Sequence, residues 1–407
     1  MNSKKKTSLV KKALQNGEGI LRLKPSWVPR TFLSAGGRLK LDPDDLYPLG
    51  TERGGICERW IASTTQADNG PETEFDEGLS YIYLEGESED KEVLLKDAIE
   101  IMGDKLLGKE YMSEYGGWNV LTKFFDYKSP IHHHVHLTDE DAAKVGAKGK
   151  PESYYFPKQM NMVESSFPYT FFGLVPGTSK QDVIDCLEKW YEGDNGILYL
   201  SRAYKLKPGT GWYLPAGILH APGNMVTYEV QRASDVLSMF QSMAENRPTS
   251  YDLLVKDIPE EHHDDLEYIV NILDWDANVD KDFYQNHYRE PRLITPSEQI
   301  DELGYQEKWI SYGSEYFSGK ELTVFPGESV EITDSEAYGV IAVQGAGKIG
   351  SLTVQTPAII GYGDRTKDEF FVTKSAAQKG VEVTNTGNED LVLLKHFGPG
   401  NADNPIE

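Results

Sequence analysis

Four of the chain's nine histidines fall within five residues, at His132, His133, His134 and His136. Such a run either lies exposed to solvent or holds a metal ion, and its spacing favours the ion. Side chains alternate faces along a strand, so His134 and His136 project to one side about 7 Å apart and can converge on one ion. His132 shares that face, whereas His133 points away. A carboxylate is available at Glu152, in Lys150-Pro-Glu-Ser-Tyr-Tyr. Glu140 is nearer, but Leu137-Thr-Asp-Glu-Asp-Ala-Ala-Lys reads as a capped helical turn that leaves it solvated. If the segment around Glu152 is a strand, Lys150 and Tyr154 share its face. His220 completes a three-His, one-Glu set.

His220 stands in Gly209-Thr-Gly-Trp-Tyr-Leu-Pro215-Ala-Gly217-Ile-Leu-His220-Ala-Pro-Gly-Asn224, with the spacing G-x5-P-x-G-x2-H-x3-N. This resembles the second signature of the cupin superfamily, small β-barrels that hold a metal between two such motifs. Gly and Pro turn the chain at the rim and leave the His on the next strand pointing into the mouth. The first motif is looser: His134-x-His136-x3-Glu140 is present, with Gly146 one position early.

Within that superfamily the chain looks like the class I mannose-6-phosphate isomerases, also called phosphomannose isomerases. Their metal domain shows Gln-x-His, Lys-x-Glu and Pro-Ala-Gly-x-x-His, then a strand ending in Ser-Asp and an Arg four residues beyond. Here stand His134-Val-His136, Lys150-Pro-Glu152, Pro215-Ala-Gly-Ile-Leu-His220 and Tyr228-Glu-Val-Gln-Arg-Ala-Ser234-Asp235. Ile56-Cys-Glu58-Arg-Trp60 and Gly70-Pro71 are similar to further elements of that family. The resemblance covers roughly residues 46–241 and, more weakly, the C-terminal strands. It implies one divalent ion, zinc first, although a histidine in place of Gln suits iron, manganese, cobalt or nickel as well. It departs from the family at Met239, which takes the place of the catalytic Arg. Arg232 is the nearest substitute in sequence, at an odd strand offset.

What the resemblance implies is an aldose–ketose isomerase that moves a proton between adjacent carbons through an enediol, acting on a sugar or a sugar phosphate. The ion orients sugar oxygens and a base must reach the proton. Lys150 is the first candidate base, since a cation placed beside a lysine favours its neutral form; Glu58 and Glu229 are alternatives. Two other classes compete: a non-catalytic metal-containing carbohydrate sensor that lost the Arg, and an iron-dependent cupin oxygenase.

The elements that must position these residues are mainly β. With 38 Gly and 21 Pro scattered between short β-branched and aromatic runs, the chain reads as many strands joined by turns. Helical patterns interrupt them at Asp90 to Leu107, Ser179 to Tyr191 and Glu260 to Leu273, the second capped by Ser179 with Asp182 in its first turn. Two cupin-type jelly-roll β-barrel domains with helical insertions are expected: residues 1–245 with the metal, an acidic helical connector over 246–300, and a metal-free unit over 301–407, where His396 stands alone.

At 407 residues the chain is long enough for two cores. Its net charge of −24 repels nucleic acid and anionic lipid, and the expected partner, a small carbohydrate, is what the resemblance implies. Lys4, Lys5, Lys6, Lys11 and Lys12 make a basic start without the apolar core of a secretory signal, expected to be frayed. Two distant cysteines, Cys57 and Cys186, suit reduced thiols and a cytoplasmic setting.

Overall fold

The computed structural model describes residues 1–162 and 167–406. The chain is mainly β, and its named strands pair antiparallel in two sandwiches. The first joins a seven-stranded sheet, ordered 288–289, 211–214, 152–155, 227–232, 120–125, 55–61 and 26–30, to a five-stranded sheet ordered 201–205, 169–174, 220–221, 134–135 and 238–239. Phe172 of the smaller sheet meets Trp212 and Tyr154 of the larger at ring-centroid distances of 5.0 and 5.9 Å. The second sandwich packs a nine-stranded sheet against a four-stranded one around Val340, Phe370, Leu393 and Val383. In the hydrogen-bonding order the two sheets of each sandwich stay separate, so each jelly roll is a pair of facing sheets, not one closed cylinder.

The strand Val120–Phe125 is buried along its whole length because both faces of its sheet are covered. Phe124 and Tyr228 pack into the seam with the C-terminal sandwich, beside Phe371 and Leu394. Phe125 joins the aromatic interior between the two sheets of the first sandwich, and Lys123 and Glu229 line a cavity there. Arg59 crosses the seam. Its guanidinium donates to both Asp368 oxygens at 2.9 Å and to Glu369 at 3.0 Å, all three residues being buried. Tyr228 and His396 meet there too, hydroxyl to Nδ1 at 2.9 Å.

The basic N-terminus is not frayed: Ser3–Asn16 is a helix that buries Val10 and Ala13. Its lysines find partners far along the chain, Lys6 on Asp97 and Lys12 on Glu87, each at 2.6 Å. The next strand, Ile20–Lys24, joins the nine-stranded sheet against Glu369–Val372, whereas Ser26–Arg30 joins the metal-site sheet. The three expected helices are present but shorter, at Leu95–Leu106, Lys180–Leu187 with its Ser179–Asp182 capping box, and Leu266–Asn271. The acidic stretch after Ser242 forms a hairpin and short helices. Leu254, Ile258 and Ile269 pack them on Val183 and Leu187, and Lys256 thereby reaches the rim of the cavity. Cys57 and Cys186 are free and buried, and among the described residues no helix is long and apolar enough to cross a membrane.

Candidate metal centre

Both sheets of the first sandwich contribute to the cluster. His134 and His220 are cross-strand partners in the five-stranded sheet. Glu152 faces them from the seven-stranded sheet, where it pairs with Leu214 and Gln231. His136 follows its strand, and its carbonyl accepts the Gly217 N–H at 2.8 Å. The three imidazole centroids lie 4.2 to 5.1 Å apart, and one ligand nitrogen from each falls within 4.8 Å of the others. Glu152 Oε2 is 3.0 Å from His136 Nε2, and Oε1 is 2.9 Å from His220 Nε2. Separations near 3 Å are what two ligands of one ion subtend when each stands about 2.0–2.2 Å from it.

Whether these residues fit an ion is decided by their protons. Nδ1 of His134, His136 and His220 lies 2.7, 2.8 and 2.8 Å from the carbonyl oxygens of His132, Val236 and Ile218. A carbonyl only accepts, so each Nδ1 carries the hydrogen and each Nε2 presents a lone pair inward. Burial, with Lys150 adding to it, pushes His136 down to about 4, and burial also holds His134 well below the usual range. Both are neutral at pH 7, as ligands must be. In the neutral ring that a metal ligand requires, the His220 Nε2 lone pair faces a carboxylate oxygen at 2.9 Å, which is repulsive without a cation between them. Consistently, His220 Nε2 and Glu152 Oε2 are buried with no hydrogen-bond partner, an arrangement that an ion relieves. The set fits a divalent ion with N and O ligands.

The other expected site residues fall in different places. Lys150 Nζ stands 3.0 Å from His136 Nε2, 3.6 Å from Glu152 and 3.9 Å from Glu229. The Tyr154 hydroxyl donates to Glu152 Oε1, and its ring packs on Phe125 and Phe172. Glu229 has Lys123 Nζ at 3.4 Å, and burial pushes its carboxyl up to about 8. Glu58 is held on both oxygens: Arg30 binds at 2.9 and 3.0 Å, Tyr127 at 2.5 Å and Trp60 Nε1 at 2.7 Å. Burial works to raise its carboxyl, but Arg30 and Lys123 hold it well below the usual range.

Arg232 leaves the cluster. Its guanidinium donates to Asp139 at 2.5 Å and covers the Tyr316 ring, away from the cavity lining. His132 packs edge-on to Phe32, and His133 Nε2 pairs with the Ser201 hydroxyl. Glu140 lies exposed in the Thr138-capped helix Asp139–Lys144. Met239 is the cross-strand partner of His134 and lines the cavity.

The cavity beside the cluster holds about 400 Å³. Three cations that line it, Arg30, Lys123 and Lys256, escape a reading of motifs. Lys123 left a trace, as the lone charge in the apolar run Val-Leu-Thr-Lys-Phe-Phe.

The turn Pro215-Ala-Gly217 shows why its spacing matters. Gly217 has φ +89, and a Cβ there would meet Asp274 atoms at 3.0 and 3.1 Å. Gly217→Ala is expected to destabilise the protein by about 1–2 kcal/mol, read as an earlier urea midpoint. An unchanged midpoint would show that the turn tolerates a side chain.

No protein-family model and no curated relative matches the chain. Solved structures do. Mannose 6-phosphate isomerase from Bacillus subtilis superposes with a TM-score of 0.60 at 18% identity, over 93% of this chain and 99% of that one. A mutant of phosphomannose isomerase from Salmonella typhimurium gives 0.59 at 13%, over 94% and 100%. A zinc-bound mannose 6-phosphate isomerase gives 0.59 at 14%, over 94% and 100%. The chain shares their fold end to end.

Proposed function

We propose that the protein is a metal-dependent aldose–ketose isomerase acting on a sugar. The observation that carries the reading is the convergence of His134, His136, Glu152 and His220 on one point, beside a cavity into which Lys150 and Glu229 project together. A divalent ion at that point, zinc in the solved neighbour, supplies polarisation of a sugar carbonyl and stabilises negative charge on oxygen.

The chain's own groups do the rest. Isomerisation removes the C2 proton, moves the carbonyl from C1 to C2 through an enediol, and returns a proton to C1. Lys150 Nζ and the Glu229 carboxyl are the two proton-handling groups at hand, 3.9 Å apart, and a proton passed between neighbours of this kind serves both carbons in turn. Lys123 bridges Glu229 and Glu58 at 3.4 and 3.7 Å and fixes the floor of the cavity. Arg30 is bound to Glu58 and to Asn69 Oδ1, so it acts as a positioning residue.

Lys150→Met is expected to lower kcat and kcat/KM together, on the order of hundredfold, with metal content per chain unchanged. The direct test is incorporation of solvent deuterium at C2 of aldoses and at C1 of the paired ketoses, free and phosphorylated. Absence of exchange across hexoses and pentoses by the metal-loaded protein would end the isomerase reading.

A further inference from the structure

A sugar in this cavity meets two tiers of charge. The floor is buried: Glu58, Lys123, Lys150, Glu152 and Glu229. The rim is wetter, with Asp68 and Asp252 exposed and Asp235 and Lys256 half-buried. Each Lys or Arg lining the cavity already has a carboxylate within 4 Å. Arg30 is on Glu58, Lys123 on Glu58 and Glu229, Lys150 on Glu152 and Glu229, and Lys256 on Asp68 at 3.0 Å. The converse does not hold. Among the described residues no Lys or Arg comes within 4 Å of Asp235 or Asp252, and the charge of Asp235 is felt at a distance by Arg30, Lys123 and Lys256. Met239, on the strand beside His134, adds an apolar surface to the lining.

From this layout we infer that the substrate is an uncharged sugar, not a sugar phosphate, a conclusion about specificity that rests on the isomerase reading. A phosphate dianion held at the rim would face Asp235 and Asp252, and to gain a cation it would have to take Lys256 from Asp68 or Arg30 from Glu58. Unanswered like charge of this kind excludes a ligand more than it weakens a contact. Hydroxyl groups suffer no such penalty. They donate to the same carboxylates and accept from the same ammonium groups, so a rim of paired and spare acids suits a polyol.

The test is binding and exchange, measured side by side on the zinc-loaded full chain. D-Mannose and D-fructose are compared with their 6-phosphates by calorimetry at low and moderate salt, and by deuterium uptake at C2 of the aldose and C1 of the ketose. The free sugars are expected to bind about tenfold or more tightly than the phosphates. The gap should narrow with added salt and in the double variant Asp235→Asn/Asp252→Asn, whose changed groups line the rim of the cavity. Tighter binding of the 6-phosphates by the unaltered protein overturns the inference, and exchange on those phosphates would leave the isomerase reading standing. Preference for free sugar without exchange supports the charge argument and defeats the isomerase reading. Binding of neither class overturns both.

Discussion

Metal content should fall from one divalent ion per chain to nearly none when His220 becomes Ala, with the fold retained. His220 supplies one of three inward nitrogens, and its removal leaves only His134, His136 and Glu152 to hold an ion. Loss of one ligand from such a set costs metal affinity by orders of magnitude, and turnover that depends on the ion falls with it, on the order of a thousandfold or more. Glu152→Ala should act alike, since the Glu152 oxygens span His136 and His220 at 3.0 and 2.9 Å. His132→Ala is the contrast. That imidazole packs edge-on to Phe32 with ring centroids 6.0 Å apart, so its removal should leave the metal in place. Elemental analysis of the purified variants, alongside circular dichroism, decides the matter: undiminished metal in folded His220→Ala protein would remove His220 from the centre.

The second large effect lies in the seam. Arg59→Met should destabilise the protein by about 3–5 kcal/mol, because Asp368 and Glu369 would stay buried after their shared guanidinium is gone. Arg59 is 4% exposed, Glu369 fully buried, and the Ala62 N–H reaches Glu369 at 3.0 Å without replacing the lost charge. Burial opposes the guanidinium's charge, but the two carboxylates raise its pKa above the usual arginine value. Urea unfolding followed by tryptophan fluorescence reads the change. A loss below about 1 kcal/mol would mean the pair is solvated or replaceable.

How far the sequence announced this structure depends on the range over which each signal acts. His220 was legible because Gly217 and Pro215 set its turn locally, and Glu152 because a helix start at Thr138 removed its rival Glu140. The capping box at Ser179 is local as well. The N-terminal helix was not legible: its lysines look solvated until Asp97 and Glu87, far along the chain, are placed beside them. Arg232 was misplaced for a related reason. Nearness to Met239 in sequence says nothing about the side of the strand from which Asp139 and Tyr316 attract a guanidinium. Arg30 and Lys123 were hidden because their strands are buried on both faces. In such strands the alternation that separates cavity from seam is not written in hydrophobicity.

The strand Ile20–Lys24 has a consequence for how the molecule is made. Ile20 pairs with Val372 and Arg22 with Phe370, so this strand waits for a partner far along the chain. Its neighbour Ser26–Arg30, after the single residue Pro25, belongs to the other sandwich and pairs early, with Gly55–Ile61. The first sandwich can assemble while the preceding strand has only the short strand Tyr81–Ile82 beside it, its other edge open until the distant partner arrives. Completion of the nine-stranded sheet is therefore a late, long-range step of the slow kind set by topology. Arrival of Glu369–Val372, not collapse of the first core, completes the sheet that ties the two halves into one body.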